Sequence, residues 1–393
     1  MNVLYSFRTR GVGAESVHIS GIANAMVSLG HNIDFESPTG VDPRQKAGSN
    51  PYRDRRKPSF LHSIARHLPG PFFEFAEIAY NLQSKRRIRN RLRQKDYGLI
   101  YERHAFFLHT TSRLAQQNRI PYVVEVNELV GDERVRKPPL LTSLCRKWDG
   151  QIFHRATRIV TVSPHLKRKI VEQHGVSEEK ILVHPNAVDA ALLEKNPDPE
   201  PFRQQFNLHG HLTIGFVGWF VEWHRLDLLL NTFSQLCRQQ PGLRPRLLLV
   251  GDGPLKESLS QQARDLGIDQ NLTFAGTLPH EDIPALLRSL DIAVIPHSNQ
   301  YRSPIKLFEY MAQSRAVVAP STEPIASVIQ DGESGCLFPP LDQSKLTETL
   351  TQLATDPQLR HQLGQNARQT VETHHTWTHN VQDILDHLPN PSV

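Results

Sequence analysis

Short apolar runs recur along the chain, and each is followed by a polar loop and then by a segment with helical periodicity. Short apolar runs that are rich in β-branched residues predict buried strands. Strands that alternate with helices predict parallel sheets, so the pattern indicates an α/β protein. The predicted strands lie at residues 3–6, 32–35, 97–103, 121–127, 157–162, 212–218, 246–250, 272–276, 291–296 and 316–319.

The length of the chain and one proline-rich stretch indicate two domains. A chain of 393 residues can build two hydrophobic cores. Residues 196–201 read Asn-Pro-Asp-Pro-Glu-Pro, which is typical of a short polar linker. We therefore predict one domain at residues 1–195 and a second at residues 196–375. Residues 38–70 are rich in proline, glycine and arginine, and we expect a loop there.

The strongest chemical signal is the segment that follows the predicted strand at residues 291–296. Pro304 can open a helix, and a helix that begins at the carboxyl end of a parallel strand is a common phosphate-binding place. Lys306 and Glu309 are three residues apart, so they share one helical face. A cation there suits a diphosphate, and a carboxylate one turn later suits sugar hydroxyls. The alternative is an ordinary solvent-exposed Lys–Glu pair.

A second glycine-containing loop follows the first predicted strand. Gly11 and Gly13 separate that strand from a helix with Ile19, Ile22 and Met26 on one face. Glycines allow backbone N–H groups to approach an anion closely, although a tight turn explains them equally well. The chain contains no GxxxxGK[ST] loop, which argues against a nucleotide triphosphatase.

The segment SPIKLFEYMA at residues 303–312, with AVVAP at 316–320 and DGESGCLF at 331–338, resembles the donor-site signature of the family-four retaining glycosyltransferases. The resemblance implies the GT-B fold, an α/β arrangement of two Rossmann-like doubly wound domains that face each other across a cleft. It places the nucleotide sugar on the C-terminal domain and implies that residues 376–393 form a helix that crosses back. The donor-binding residues that it implies are Gly11, Gly13, Gly218, Arg225, Gly251, Arg302, Ser303, Pro304, Ile305 and Glu309.

The chain departs from the family pattern at several positions. After Gly218, Trp219 replaces the usual arginine, His224 stands near the usual lysine, and Arg225 takes a glycine position. Tyr301 stands where relatives often carry the first of two glutamates, and Asn127 where many carry a histidine. We expect His224, Arg225, Arg302 and Lys306 to supply positive charge for the diphosphate. The implied catalytic residues are Lys306, His224 and Asn127.

Polar residues at the predicted strand ends of the N-terminal domain form a candidate acceptor side. Arg103, His104 and Glu125 follow or end two neighbouring predicted strands. Loop capping and ordinary surface polarity are the alternative for each of them.

The resemblance implies transfer of a sugar from a nucleoside-diphosphate sugar, UDP- or GDP-linked, with retention of anomeric configuration. It also implies that no metal or other cofactor is used, because helix N-termini and basic side chains stabilise the leaving diphosphate. We expect a role in glycan, glycolipid or exopolysaccharide synthesis. The alternatives are a GT-B sugar phosphorylase or epimerase and a non-catalytic nucleotide-sugar-binding protein.

Charge and cysteine content indicate the surroundings of the protein. Residues 85–95 carry many cations and no acid, so they suit an anionic membrane surface, a phosphorylated acceptor or a solvated helix face. No recognised nucleic-acid module accompanies this charge. The three cysteines lack metal or redox spacing, and the chain begins with a predicted strand rather than a signal peptide. We therefore expect a cytoplasmic protein, with a peripheral position at the inner membrane face as the membrane alternative for residues 85–95.

Overall fold

The computed structural model describes residues 1–9, 14–40, 42–46, 70–132, 139–194 and 196–389. Gly11, Gly13 and most of the predicted loop at 38–70 lie outside these residues. The chain divides into unit 1, Met1–Pro185 with Thr378–Val393, and unit 2, Asn186–Trp377. The predicted linker at 196–201 lies within unit 2, because the chain already packs there from Asn186 onward: its backbone N–H donates to Ser303 Oγ at 2.9 Å.

Unit 1 contains a six-stranded parallel sheet with strand order β2-β1-β3-β4-β5-β6. The order reverses between β1 and β3, as in doubly wound sheets, and β4 is buried along its whole length. The strands are β1 Asn2–Ser6, β2 Asn32–Glu36, β3 Leu99–Arg103, β4 Tyr122–Val126, β5 Arg158–Thr161 and β6 Ile181–Val183. The helices are α1 Ala14–Ser28, α2 Gly70–Gln94, α3 Thr110–Gln117, α4 Thr142–Arg155, α5 Pro164–His174 and, from the end of the chain, α15 Trp377–Asp386.

Unit 2 repeats this plan with strand order β12-β11-β10-β7-β8-β9, all parallel, and reverses between β7 and β10. Both sheets confirm the predicted α/β fold with two Rossmann-like, doubly wound units. The strands are β7 Thr213–Val217, β8 Arg246–Val250, β9 Leu272–Gly276, β10 Ile292–Val294, β11 Ala316–Pro320 and β12 Cys336–Phe338. The helices are α6 Ala190–Glu194, α7 Glu200–Gln205, α8 Leu226–Gln239, α9 Lys256–Asp265, α10 Ile283–Arg288, α11 Ile305–Ala312, α12 Glu323–Ala326, α13 Gln343–Thr355 and α14 Pro357–His374.

The turns after β7 and β8 approach each other so closely that they require glycine. Gly251 has φ of +136°, and a Cβ atom there would lie 2.0 Å from the carbonyl oxygen of Gly218. Its N–H donates to the carbonyl of Gly276 at 2.8 Å. Backbone contact at this distance leaves no room for a side chain, so the two turns fix the carboxyl edge of the sheet.

Helix α11 follows β10 and differs by one residue from the sequence expectation. Pro304 is the residue before the helix, with ψ of 120°, rather than its first residue. The helix packs its apolar side into the core through Leu307, Phe308 and Met311, which leaves the other side for polar residues. Across the ranges that the structure describes, no helix has the length and apolar character needed to cross a membrane.

Candidate active site

Lys306 lies in the first turn of α11, next to an aromatic ring and an imidazole. Its Nζ is 4.0 Å from the centroid of the Phe216 ring and 3.5 Å from Nε2 of His224. Removal from water lowers the pKa of Lys306 to about 7, and the carboxylate of Glu309 opposes this shift. A cation over an aromatic face, with its charge only partly compensated, is prepared to bind an anion.

The absence of a side chain at Gly218 makes room for this lysine. A Cβ atom at Gly218 would lie 2.4 Å from Lys306 Nζ. Gly218, directly after β7, and Lys306, in the first turn of α11, therefore lie next to each other. Gly251 contributes indirectly, because its turn packs on Gly218.

His224 lies in a short 3-10 turn, Glu222–His224, and is uncharged near neutral pH. Desolvation, together with the positive charges of Lys306 and Arg302, lowers the pKa of His224 to about 2. This corrects the expectation that His224 supplies positive charge. A neutral imidazole can instead accept a hydrogen bond from the Lys306 ammonium and orient it.

Arg302 contacts two aromatic residues, Tyr301, which the family pattern places near the site, and Trp223, which no sequence pattern indicated. Its Nε donates to the Tyr301 hydroxyl at 3.0 Å, and its guanidinium lies 5.7 Å from the centroid of the Trp223 ring. The carbonyl of Trp223 is 2.7 Å from Nδ1 of His297. Trp223 and His297 are 74 residues apart, so no local pattern could have predicted this contact.

Glu309 is hydrogen-bonded to a histidine that sequence reasoning missed. His280 Nε2 lies 3.0 Å from Glu309 Oε1. The hydrogen bond to Glu309 raises the pKa of His280, because it stabilises the imidazolium. Glu309 therefore has a partner in the described structure, and a ligand hydroxyl must share the carboxylate with His280 or replace it.

Ser303 and Arg225, two further predicted donor residues, make contacts within the protein, and Ile305 lies two residues after Ser303. Ser303 accepts from the backbone of Asn186 through its hydroxyl and from the Asn186 amide through its carbonyl, the latter at 2.5 Å. Ile305 begins α11 directly after this anchor. Arg225 donates three hydrogen bonds to Asp227, at 2.9, 3.3 and 2.8 Å. Its charge is thus compensated locally, which corrects the expectation that it adds to the charge around Lys306.

Three predicted residues of unit 1 belong to one buried network around Glu125. Its carboxylate accepts from Tyr101 at 2.7 Å, from Arg103 at 2.9 Å and from Asn127 at 2.6 Å. Nε2 of His18, on α1, lies 2.7 Å from the same carboxylate. Burial opposes ionisation of Glu125, but these neighbours outweigh burial and hold its pKa well below the usual value.

His104 is separate from that network. Its Nε2 lies 2.9 Å from Oδ1 of Asp149, and both side chains are buried. The ring packs against Phe106 and Phe153. His104 is therefore occupied by a structural pair within unit 1.

The described residues contain no group of three or more His, Cys, Asp or Glu side chains that could hold a metal ion.

Comparison with known proteins supports the assignment that these features suggest. Residues 198–370 match the model of "Glycosyl transferases group 1", and residues 15–192 match that of "Glycosyltransferase Family 4". The chain is 22% identical to an alpha-D-kanosaminyltransferase of Streptomyces kanamyceticus over 67% of this chain and 68% of that protein. It is 27% identical to a D-inositol 3-phosphate glycosyltransferase of Corynebacterium kroppenstedtii over 64% of this chain. That match spans only 56% of the length of the relative.

Among solved structures, HepE of Anabaena in complex with UDP is similar in fold. The TM-score is 0.70 at 17% identity, and the match covers 99% of this chain and all of that one. The two family models together span most of both units. The chain therefore belongs to the family-four glycosyltransferases and has their GT-B fold of two Rossmann-like domains.

Proposed function

We propose that the protein is a retaining glycosyltransferase that moves a sugar from a UDP- or GDP-linked donor to a sugar, lipid-linked or small-molecule acceptor. The observation that carries the proposal is Lys306, a cation at the start of α11, 3.5 Å from His224 and over the Phe216 ring. Two similar proteins are named for transfer of a sugar, and HepE was crystallised with UDP.

In this reaction the bond between the anomeric carbon and the diphosphate oxygen breaks, and the acceptor oxygen bonds to the same carbon. The acceptor proton goes to the departing diphosphate, which leaves as the nucleoside diphosphate. Lys306, Arg302 and the N-terminus of α11 stabilise the negative charge that develops on the leaving group. His224 orients Lys306, and Glu309 receives the ribose hydroxyls. No metal takes part, so we expect transfer to continue in EDTA.

We propose that the Glu125 network positions the side chains that bind the acceptor. Glu125 is fully buried and already has four partners, so it positions other groups rather than contacting substrate itself. Arg103 is the last residue of β3 and Asn127 directly follows β4, so both lie at the carboxyl edge of the sheet. Asn127 takes the place of the catalytic histidine by hydrogen bonding alone. His104 supports this edge from its pair with Asp149.

We also propose that the protein is cytoplasmic and makes a peripheral contact with an anionic membrane. On α2, Lys85, Arg86, Arg89 and Arg93 are exposed. Leu82, on the same helix, is 76% exposed, which adds an apolar residue next to the cations. The three cysteines are free thiols, as suits a reducing compartment. Glycolipid or exopolysaccharide synthesis would place the acceptor at such a surface.

Calorimetric titration of UDP and GDP into the full chain tests the donor site. We expect Lys306→Ala to weaken binding of the preferred nucleotide by about tenfold or more, because a charge-assisted contact to phosphate is lost. Lys345→Ala is the matched control, because Lys345 is an exposed lysine of unit 2 whose ammonium pairs with Glu348. Equal affinity in Lys306→Ala and wild type would contradict the proposal. Release of nucleoside diphosphate from the donor separates an enzyme from a binding protein.

A further inference from the structure

Unit 1 contains an open groove that is lined by none of the candidate donor or acceptor residues described above. It lies between α2 and the loop that follows β2, and its volume is about 330 Å³. This is the size range of small-molecule sites. Polar side chains from both sides face it: Arg87, Asn90, Arg91 and Gln94 from the helix, and Ser37 and Thr39 from the loop.

The helical side of the groove is a regular row of hydrogen-bond donors. Residues at positions i, i+3, i+4 and i+7 of a helix share one face, and Arg87, Asn90, Arg91 and Gln94 have this spacing. Two guanidinium groups and two carboxamides are thus presented along a single line. Guanidinium groups bind phosphate through paired hydrogen bonds, and carboxamides bind hydroxyls in either direction.

The loop side is held in place by its own contacts and by Arg87. The Arg87 guanidinium donates to the Ser37 carbonyl at 2.8 Å. The Ser37 hydroxyl accepts from the Gly40 backbone at 3.1 Å and lies 3.3 Å from the Thr39 hydroxyl. The groove is therefore formed before any ligand arrives, which lowers the cost of binding.

The groove retains positive charge. Among the described residues that line it, Glu36 is the only acidic one; it is 6% exposed and lies 3.5 Å from Arg87. This separation is longer than the roughly 2.7–2.9 Å of a strong charge-assisted hydrogen bond. Two guanidinium groups thus face one carboxylate. The nearby Asp34 carboxylate is paired with Lys95 at 2.7 Å and also attracts Arg91. Arg87, Arg91 and Lys95 together still outnumber the carboxylates of Glu36 and Asp34.

We propose that this groove binds a phosphate-bearing polyol, such as a phosphorylated sugar, as a soluble molecule or as a lipid headgroup. Arg91 and Arg87 bind the phosphate, and Asn90, Gln94, Ser37 and Thr39 bind ring hydroxyls. All described residues that line the groove belong to unit 1. Only its use as the acceptor site, or as an anchor for the acceptor, rests on the proposed transferase function.

Titration of glucose 6-phosphate, inorganic phosphate and glucose into the full chain tests the soluble form. We expect glucose 6-phosphate to bind more tightly than phosphate, and glucose not to bind measurably. Arg91→Ala should weaken binding by about tenfold, the value of one charge-assisted contact. Arg93→Ala is the matched control, since Arg93 is exposed on the same helix but does not line the groove. Equal losses in the two variants would overturn the proposal.

Vesicle flotation tests the lipid form. Phosphatidylcholine vesicles that contain phosphatidylinositol 4-phosphate are compared with vesicles that carry the same charge as phosphatidylserine. Preference for the phosphoinositide, lost in Arg91→Ala and kept in Lys345→Ala, which removes an exposed cation of unit 2, supports a headgroup ligand even if glucose 6-phosphate does not bind. Equal flotation with both lipids, in the absence of glucose 6-phosphate binding, would overturn the site in favour of general attraction to the basic helix.

Two further measurements keep the result interpretable. Glu36→Gln removes the competing carboxylate at nearly constant size, so it should tighten binding of the same probe severalfold. A loss of binding in Glu36→Gln with intact circular dichroism would count against the proposal. UDP affinity, measured in Arg91→Ala, should equal that of wild type, so a failure of the groove is distinguishable from a failure of the donor site.

Discussion

The chemistry of the donor site depends on Lys306, which is only partly protonated near neutral pH. Lys306 is near an aromatic face and a neutral imidazole, and its pKa is about 7. The ammonium is thus present in only part of the free protein near neutral pH. A bound diphosphate supplies the opposite charge that is missing, so binding raises the pKa of Lys306. Affinity and protonation are therefore linked.

We expect UDP binding to weaken as pH rises above 7, by about tenfold for each pH unit. The sign follows because the complex holds the proton that the free protein loses through a pKa of about 7. Calorimetry at pH 8 in buffers of different ionisation enthalpy should show proton uptake. Lys306→Arg should remove most of this dependence, because a guanidinium stays charged throughout. A flat profile in wild type would contradict the assignment.

The two polar residues of α11 are expected to recognise different parts of the donor. Glu309→Ala should weaken UDP binding by about tenfold more than it weakens binding of pyrophosphate, because pyrophosphate has no ribose. Any loss of affinity through the lower pKa of Lys306 is shared by both ligands. Lys306→Ala should weaken both. Glu348→Ala, on an exposed pair of α13, is the control. If Glu309→Ala weakened binding of pyrophosphate as much as binding of UDP, the carboxylate would not be the group that binds the ribose.

At the scale of elements, the turns after β7 and β8 determine whether the site can form. Gly251→Ala should lower the free energy of unfolding by roughly 2 kcal/mol or more, since a Cβ atom 2.0 Å from a carbonyl oxygen forces the backbone apart. Gly242→Ala is the matched control in unit 2, because a Cβ atom there meets nothing within 4 Å. Urea unfolding of both variants measures the difference. Similar midpoints for the two would show that the turns can separate at little cost.

The elements themselves were predictable because their signal is local. The apolar runs of β7, β8 and β11, and the start of α11 within one residue, followed from the sequence pattern. The pairing of Glu309 with His280, 29 residues away, was not, since no local pattern records which loop folds against α11. The neutral state of His224 likewise depends on burial beside Lys306. The Arg225–Asp227 pair is local, and the expectation that Arg225 adds positive charge to the site overlooked Asp227 two residues later.

At the scale of the molecule, each unit has its own sheet, its own core and its own candidate ligand chemistry. Unit 2 presents Lys306 and Glu309 on a helix that follows a strand. Unit 1 presents a buried Glu125 network and, separately, the polar groove beside α2. A diphosphate and a phosphorylated polyol are therefore expected to stabilise different parts of the chain.

Hydrogen exchange measured by mass spectrometry on the full chain can separate these two effects. A ligand at about 100 times its dissociation constant stabilises the form that it binds by about 2.7 kcal/mol, enough to slow exchange roughly a hundredfold where exchange requires release of the ligand. UDP should slow peptides that cover 216–225 and 302–309, and this effect should vanish in Lys306→Ala. Glucose 6-phosphate should slow peptides that cover 36–40 and 87–94, and Arg91→Ala should abolish that effect alone. UDP protection that persists in Lys306→Ala would show that the nucleotide binds elsewhere, because the described donor site offers the diphosphate no cation as close to the start of α11 as this lysine.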